Sequence, residues 1–280
     1  MRSLDANPLA TAKEVGLLGD LHGDVEHLFI AARNFAARGV HVIVQLGDFG
    51  VVWPGENWQK NLDRISRRLT GLGIVLYVVD GNHEGFQLLY DFPVDAHGAR
   101  PLRHNIVHLP RGYRTVLASG RVLAILGGGN SIDRDLREPG VSWWPEESIT
   151  DDDLAALGDE PADIVLGHQA PLHVPDLDRE IEPARNWWPA SVVHYAEAGR
   201  QMFHRGFLAV RPSLSVGGHY HCFVDQTVDY GKGDAAFRCR VVVLDQAGSK
   251  TVAQAVLDVE TLELVYFNRG NTGQRRGDDR

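Results

Sequence analysis

Cysteine is scarce in this chain of 280 residues: only Cys222 and Cys239 are present. Their spacing matches neither a disulfide framework nor a zinc knuckle, so both read as free, buried thiols in a protein of the reducing cytoplasm. No apolar run approaches the roughly 18 residues of a membrane span, which removes the membrane from the partner list. The opening MRSLDANPLATAKE has no apolar stretch like that of a secretory signal. An excess of basic charge is also missing. The net charge of -9 weighs against extended nucleic acid as a partner, while leaving room for a local cationic groove. There is no internal repeat and no linker long enough to separate independent domains. What remains is an ordinary globular composition, 44% hydrophobic and 23% charged, in a chain long enough to bury a full core.

Periodicity supplies the elements. Strand-like runs at 15–19, 42–46 and 75–80 alternate with helical patterns at 24–38, 56–72 and 84–90. The first helix carries Val25, Leu28, Phe29, Ala32 and Phe35 on one face; the second carries Trp58, Leu62, Ile65 and Leu69. This is the start of a parallel, doubly wound sheet. The short runs 106–109, 114–117 and 121–127 then read as an antiparallel meander, followed by a long loop over 128–147. Thr150 and Asp153 have the spacing of a capping box at a helix start. Further strands are expected at 164–166, 214–216, 223–228, 239–244 and 251–259, with a helix at 191–203. The expected organisation is a flexible N-terminal arm (1–13), a single domain (14–267) in which 169–212 is a candidate helical cap, and a disordered Gly-, Arg- and Asp-rich tail (268–280).

Five strand-like runs end in residues able to bind metal: Asp20-Leu21-His22, Gly47-Asp48, Gly81-Asn82-His83-Glu84, Gly167-His168 and Gly217-Gly218-His219-Tyr220-His221. Strand carboxyl ends in a parallel sheet share one edge, where α/β proteins bind ligands. Asp20 and His22, two apart on extended chain, point to the same side. Asp48 is placed to bridge two cations, and Asn82 offers a neutral amide oxygen. His168, His219 and His221 add imidazole nitrogens. A nitrogen and oxygen set without thiolate suits two divalent or trivalent transition-metal ions (Mn, Fe, Zn or Ni) better than Ca or Mg. Two such ions can activate a water and clamp both oxygens of a displacement at phosphorus.

The order D-x-H, G-D, G-N-H-E, G-H and G-x-H resembles the calcineurin-like metallophosphoesterase superfamily across roughly residues 15–225. The resemblance implies an α/β fold of two facing mixed β-sheets flanked by helices, a four-layer sandwich. It implies a first metal held by Asp20, His22, Asp48 and His221, and a second held by Asp48, Asn82, His168 and His219. His83 would be catalytic without binding metal, contacting phosphate and protonating the leaving oxygen as a general acid. GDFG with a nearby Trp, GNHE, GG-x-NSIDR and Trp-Trp-Pro-Glu resemble a bacterial and phage branch. The chain departs from the common pattern after Asp48, where Phe49-Gly50-Val51-Val52-Trp53 contains neither the carboxylate nor the arginine of many relatives. It departs again at Gly-His-Gln-Ala-Pro, where many relatives have a hydroxyl residue and two prolines.

The loop 127–137 is the expected substitute for the missing arginine. Its three glycines allow close approach to a ligand, and Arg134, then Arg137, with Asn130 as a neutral donor, are the candidate substrate-binding residues. The bland alternative is a glycine turn followed by solvated charges. The run is not a P-loop, since no G-K-[ST] follows. Trp143, Trp144, Trp187 and Trp188 read as loop packing before base stacking. Asp24 and Glu84 are either acceptors that orient imidazoles or helix-start carboxylates. His27, His41, His97, His104, His108, His173, His194 and His204 read as surface or packing residues. The expected activity is a phosphoesterase, diester favoured over monoester, acting on a small phosphoester of which a nucleotide is one candidate. Its rivals are a non-catalytic interaction scaffold on the same fold and a nuclease or nucleic-acid end-processing enzyme. Scaffolds typically lose ligands or the acid histidine, and here all eight positions are present.

Overall fold

A computed structural model of the chain describes residues 7–55 and 57–267. The first half alternates as the periodicity requires: β1 (Glu14–Leu18), α2 (Val25–Ala36), β2 (Val42–Leu46), α3 (Trp58–Gly71) and β3 (Val75–Val79), after a one-turn α1 (Pro8–Thr11). Every residue of β2 is buried, as expected of a strand covered on both faces. Asp24 caps α2 by accepting a hydrogen bond from the His27 backbone N–H at 2.8 Å. A short α4 (Phe86–Tyr90) leads to β4 (Arg100–Arg103) and β5 (Ile106–His108).

The second half contributes β6 (Arg114–Val116), β7 (Val122–Leu126), α5 (Asp151–Leu157), β8 (Ile164–Gly167), α6 (Pro175–Ile181), α7 (Ala190–Val210) and β9 (Leu214–Gly217). Four strands close the chain: β10 (Val224–Tyr230), β11 (Phe237–Val243), β12 (Gln254–Asp258) and β13 (Leu264–Phe267). They make a seven-stranded sheet, β13-β12-β1-β2-β3-β5-β4, and a six-stranded one, β10-β11-β9-β8-β7-β6. The middle of each is parallel and the edges are antiparallel. Val44, Leu46 and Val79 of one sheet meet Ile125, Leu166 and Val216 of the other in a shared inner core. The alternate residues Ile43 and Leu76 face Leu28, Phe35, Leu62 and Leu69 of α2 and α3. Ala124, Leu126 and Val165 face Phe203 and Phe207 of α7. The result is helix, sheet, sheet, helix. No helix among the described residues is long and apolar enough to cross a membrane.

Several expectations need correction. The meander does not exist as one unit: β5 joins the first sheet, parallel to β3, while β6 and β7 form a hairpin edge on the second. Short apolar runs carry no information about which sheet they will join. The arm 1–13 is anchored in its described part, because Leu9 is fully buried in the inner core and the Asn7 amide donates to Tyr113 Oη at 2.8 Å. The segment 169–212 is helical but is not a cap, since Phe203, Phe207 and Val210 bury it against the outer face of the second sheet. The helix expected at 191–203 runs on to Val210, and β4, α6 and β13 were missed. The tail 268–280 lies outside the described residues. Cys239 is buried, Cys222 half-buried, and both are free.

Candidate metal centre

The five motifs converge at the carboxyl ends of β1, β2, β3, β8 and β9. The ligating atoms of Asp20, His22, Asp48 and His221 all lie within 4.8 Å of one another. His22 Nε2 is 3.0 Å from His221 Nε2 and 3.8 Å from Asp48 Oδ2, and His221 Nε2 is 3.4 Å from Asp20 Oδ2. A second group adjoins it. Asn82 Oδ1 is 3.0 Å from His168 Nε2 and 2.8 Å from His219 Nδ1, and His168 Nε2 is 3.3 Å from Asp48 Oδ1. The two oxygens of Asp48 therefore face different clusters. Ions with ligand bonds of about 2.0–2.2 Å place neighbouring donors about 3 Å apart, so both clusters fit a transition metal. The donors are carboxylate, amide and imidazole, with no thiol.

The electrostatics favour positive charge here. Burial would raise the Asp48 carboxyl, yet His168, with His83 and His22, holds it well below the usual carboxylate range. Burial would lower His168, but Asp48 and Asp20 lift it to about 10. The field that retains that proton is the field a cation would feel. His22 and His219 are lowered, in both cases mainly by burial, which leaves their nitrogens neutral and able to ligate. His168 Nδ1 lies 2.8 Å from the Leu46 carbonyl, a bond that turns Nε2 toward the cluster. His22, Asp48, His219 and His221 all have positive φ, between 48° and 73°. Backbone in this region is held by its surroundings and gathers at functional sites.

A buried relay sets the direction of Asn82. Its Nδ2 donates to Ser131 Oγ at 3.0 Å, and Ser131 donates from backbone N (2.8 Å) and Oγ (2.5 Å) to the two oxygens of Glu147. Tyr195 Oη of α7 donates to the same carboxylate at 2.8 Å. With the Asn82 amide nitrogen so engaged, its Oδ1 must face His168 and His219. Arg111 supports this relay from behind. Its guanidinium donates to Asp80 Oδ2 (2.8 Å), Asp153 Oδ2 (3.0 Å) and the carbonyls of Glu146 (2.8 Å), Glu147 (3.2 Å) and Ser148 (2.7 Å). Burial works against the Asp80 charge, but Arg111 and His108 hold its carboxyl below the usual range. Removing one member of such a buried pair strands the other charge. Arg111→Ala is therefore expected to lose about 3–5 kcal/mol of unfolding free energy, measured by urea denaturation. A loss under about 1 kcal/mol, the scale of an exposed pair, would contradict the account.

The sequence candidates beside the clusters fall in different places. His83 sits between His22 (ring centroids 4.6 Å apart) and Trp53 (6.5 Å) and contributes no atom to either ligand cluster. Arg137 Nη2 is 3.3 Å from His83 Nδ1, in closer contact with its Nε2, and 2.8 Å from Asp133 Oδ1. Arg137 Nη1 is buried and has no partner among the described residues. Arg134, placed first from sequence, lies over the Tyr195 ring at 4.3 Å and pairs with Asp135. Asn130 Nδ2 donates to the Tyr195 carbonyl at 2.7 Å, which ties the loop to α7. A side chain on Gly127 would strike Asp80, and one on Gly128 would strike Arg111 and Glu147, so these glycines admit the protein's own groups. Only Gly129 faces the site, toward His168 and His219.

Glu84 neither orients an imidazole nor starts a helix. It accepts from the backbone N–H of Phe49 at 2.7 Å and Gly50 at 3.3 Å, pinning the segment after Asp48, and burial pushes it up to about 8. Trp144 is buried edge-on to Trp53, as loop packing requires, while Trp187 is exposed. His108, read as packing, is buried and lies 3.1 Å from Asp80 Oδ1. Trp53 and Ser131 entered only as members of motif strings, Glu147 only as the end of a loop, and Arg111 was missed altogether. No periodicity or ligand spacing marks them, because they act through contacts between distant segments.

Two facing mixed sheets with paired donor clusters at their parallel strand ends define a metal-dependent hydrolase architecture. The chain belongs to the calcineurin-like phosphoesterase family, whose profile matches residues 14–223. No curated protein matches the chain in sequence. Among solved structures, a dimetal phosphatase from Danio rerio is 14% identical, with 90% of this chain and 94% of that one covered, and superposes with a TM-score of 0.51, showing a shared fold. The TT1561 protein of Thermus thermophilus is 17% identical over 92% of this chain and 99% of its own, with a TM-score of 0.47. An archaeal phosphodiesterase is 12% identical over 91% and 98%, with a TM-score of 0.41.

Proposed function

We propose that this phosphoesterase hydrolyses a small phosphodiester at a dinuclear centre held by Asp20, His22, Asp48 and His221 on one side and by Asp48, Asn82, His168 and His219 on the other. The observation that carries this reading is the division of Asp48 between the two clusters. The donor set suits Mn, Fe, Zn or Ni. Bound there, two such ions supply a water of lowered pKa and positive charge for the phosphoryl oxygens. The remaining work belongs to the chain.

His83 is the proton donor to the leaving oxygen. Burial drives its imidazole down to about 4, with Arg137 and His22 pulling the same way against Asp48 and Asp133. An anionic phosphoester seated against the ring adds the negative charge that favours its protonated form. Arg137 takes the place of the arginine absent after Asp48: its unpartnered buried Nη1 is a donor waiting for an acceptor, and a phosphoryl oxygen is one. That guanidinium is shared with Asp133, so little positive charge is left over, which favours the singly charged diester over the monoester. The two free thiols suit a reducing cytoplasm.

Metal-replete protein is expected to hydrolyse bis-p-nitrophenyl phosphate in preference to p-nitrophenyl phosphate. Arg137→Ala should lower kcat/KM by about 10²–10³-fold, the usual cost of losing one donor to a charged transition state, while Arg134→Ala should change it little. A strong monoester preference would overturn the substrate assignment. An unaffected Arg137 variant would remove that residue from the site.

A further inference from the structure

A groove of about 270 Å³ opens beside the metal centre, lined by Gly23, Gly50, Trp53, Asn57, Trp58 and Asn61 among others. Building on the phosphodiesterase reading above, we propose that this groove seats the departing alcohol of the substrate and that the alcohol is a nucleoside. Its position comes first. Gly23 follows the ligand His22 and Gly50 lies two residues after the ligand Asp48, so the groove begins where the metal clusters end. Its floor there is bare backbone: a Cβ on Gly50 would come within 2.7 Å of Gly23 N, and one on Gly23 within 3.0 Å of the Gly50 carbonyl oxygen. His83, the proton donor, stands between His22 and Trp53, and its ring lies within 25° of parallel to the Trp53 indole. The oxygen that His83 protonates is thus attached to whatever enters along Trp53.

The lining then selects the ligand. The described residues that line it are glycine, apolar, aromatic or carboxamide in character, and the Lys60 ammonium donates to Asn57 Oδ1 at 3.4 Å beside it. Each indole has a T-shaped aromatic neighbour that limits its motion, Trp53 the buried Trp144 ring at 5.2 Å and Trp58 the Phe92 ring at 6.1 Å. Fixed aromatic faces stack on bases with little loss of side-chain freedom. Asn57 and Asn61 place carboxamides beside them, and the Asn61 amide makes no hydrogen bond with the described residues. A carboxamide offers both donor and acceptor, which matches the edge of a nucleobase and is wasted on an aliphatic alcohol.

In the reaction, a water oxygen joins phosphorus and the P–O5′ bond breaks with its electron pair staying on O5′. His83 gives O5′ a proton and the water restores it, releasing the free nucleoside and a phosphomonoester.

The mixed diester of thymidine 5′-phosphate and methanol tests this, because its two ester bonds join phosphorus to alcohols of similar leaving ability. Metal-replete protein is expected to give thymidine and methyl phosphate in about tenfold excess over methanol and thymidylate, the scale of one base stacked on an aromatic ring. Asn61→Leu and Trp58→Ala should bring that ratio toward one. Should Trp58→Ala fail to fold, the half-exposed Asn61 position decides alone. An even or reversed ratio in the unaltered protein, an unchanged ratio in the variants, or an inert mixed diester overturns the groove assignment if bis-p-nitrophenyl phosphate is still cleaved. Failure to cleave either diester overturns the phosphodiesterase reading itself.

Discussion

Asp48→Ala is expected to purify with no more than trace transition metal and to show no measurable turnover. One oxygen of Asp48 faces His22 and the other faces His168, so the substitution withdraws a ligand from both clusters at once. It also removes the negative charge that lets two cations lie close together. Two unit charges 4 Å apart repel by about 4 kcal/mol at the effective dielectric of a protein surface, and the bridging carboxylate offsets this. Elemental analysis beside circular dichroism separates loss of metal from loss of fold. Backbone N–H groups of Asn82 and His83 donate to Asp48 Oδ1 at 2.8 and 2.7 Å, so Asp48→Asn is the gentler companion variant. A folded Asp48→Ala protein with two ions per chain, or unaltered protein that stays active after exhaustive chelation, would contradict the dinuclear reading.

His83→Ala should differ in kind: full metal content, but activity lower by about 10²–10⁴-fold toward alkyl esters, the usual contribution of general acid catalysis. The defect should shrink for p-nitrophenyl esters, whose leaving oxygen needs little protonation. Because Arg137 lies against the same ring, removing His83 also frees that guanidinium, so metal content and the leaving-group comparison are both needed. Equal defects for both ester types, or loss of an ion, would place His83 in binding and not in proton transfer.

The candidate ligand residues were legible in sequence because each lies within a few residues of a strand end, and strand ends in a parallel sheet share an edge. Asp20, His22, Asp48, Asn82, His168, His219 and His221 were candidates from that rule together with the family resemblance, and the structure brings their side chains together. The positions of Arg134 and Arg137 did not. They are three apart on a short turn, and only packing against Tyr195 and His83 decides which one reaches the site. The assignment of β5 and β6 to different sheets was equally hidden, since three-residue strands have too few alternations to state which face they bury. Glu147 was read as part of a loop. Its importance lies in accepting from Ser131 and Tyr195, partners 16 and 48 residues away.

The left-handed backbone at His22, Asp48, His219 and His221 restricts what can ever replace them. Histidine, aspartate and asparagine enter that region several-fold more readily than other side chains. Glutamate and cysteine coordinate transition metals just as well, yet carry no such tolerance and would cost about 1–2 kcal/mol per position in backbone energy. The alphabet of the centre is thus filtered twice, by the ion and by the turn of the chain. Substitution can move among Asp, Asn and His at these four places, retuning charge and metal preference, while a drift toward thiolate or glutamate ligation is opposed by the peptide geometry before any ion is bound.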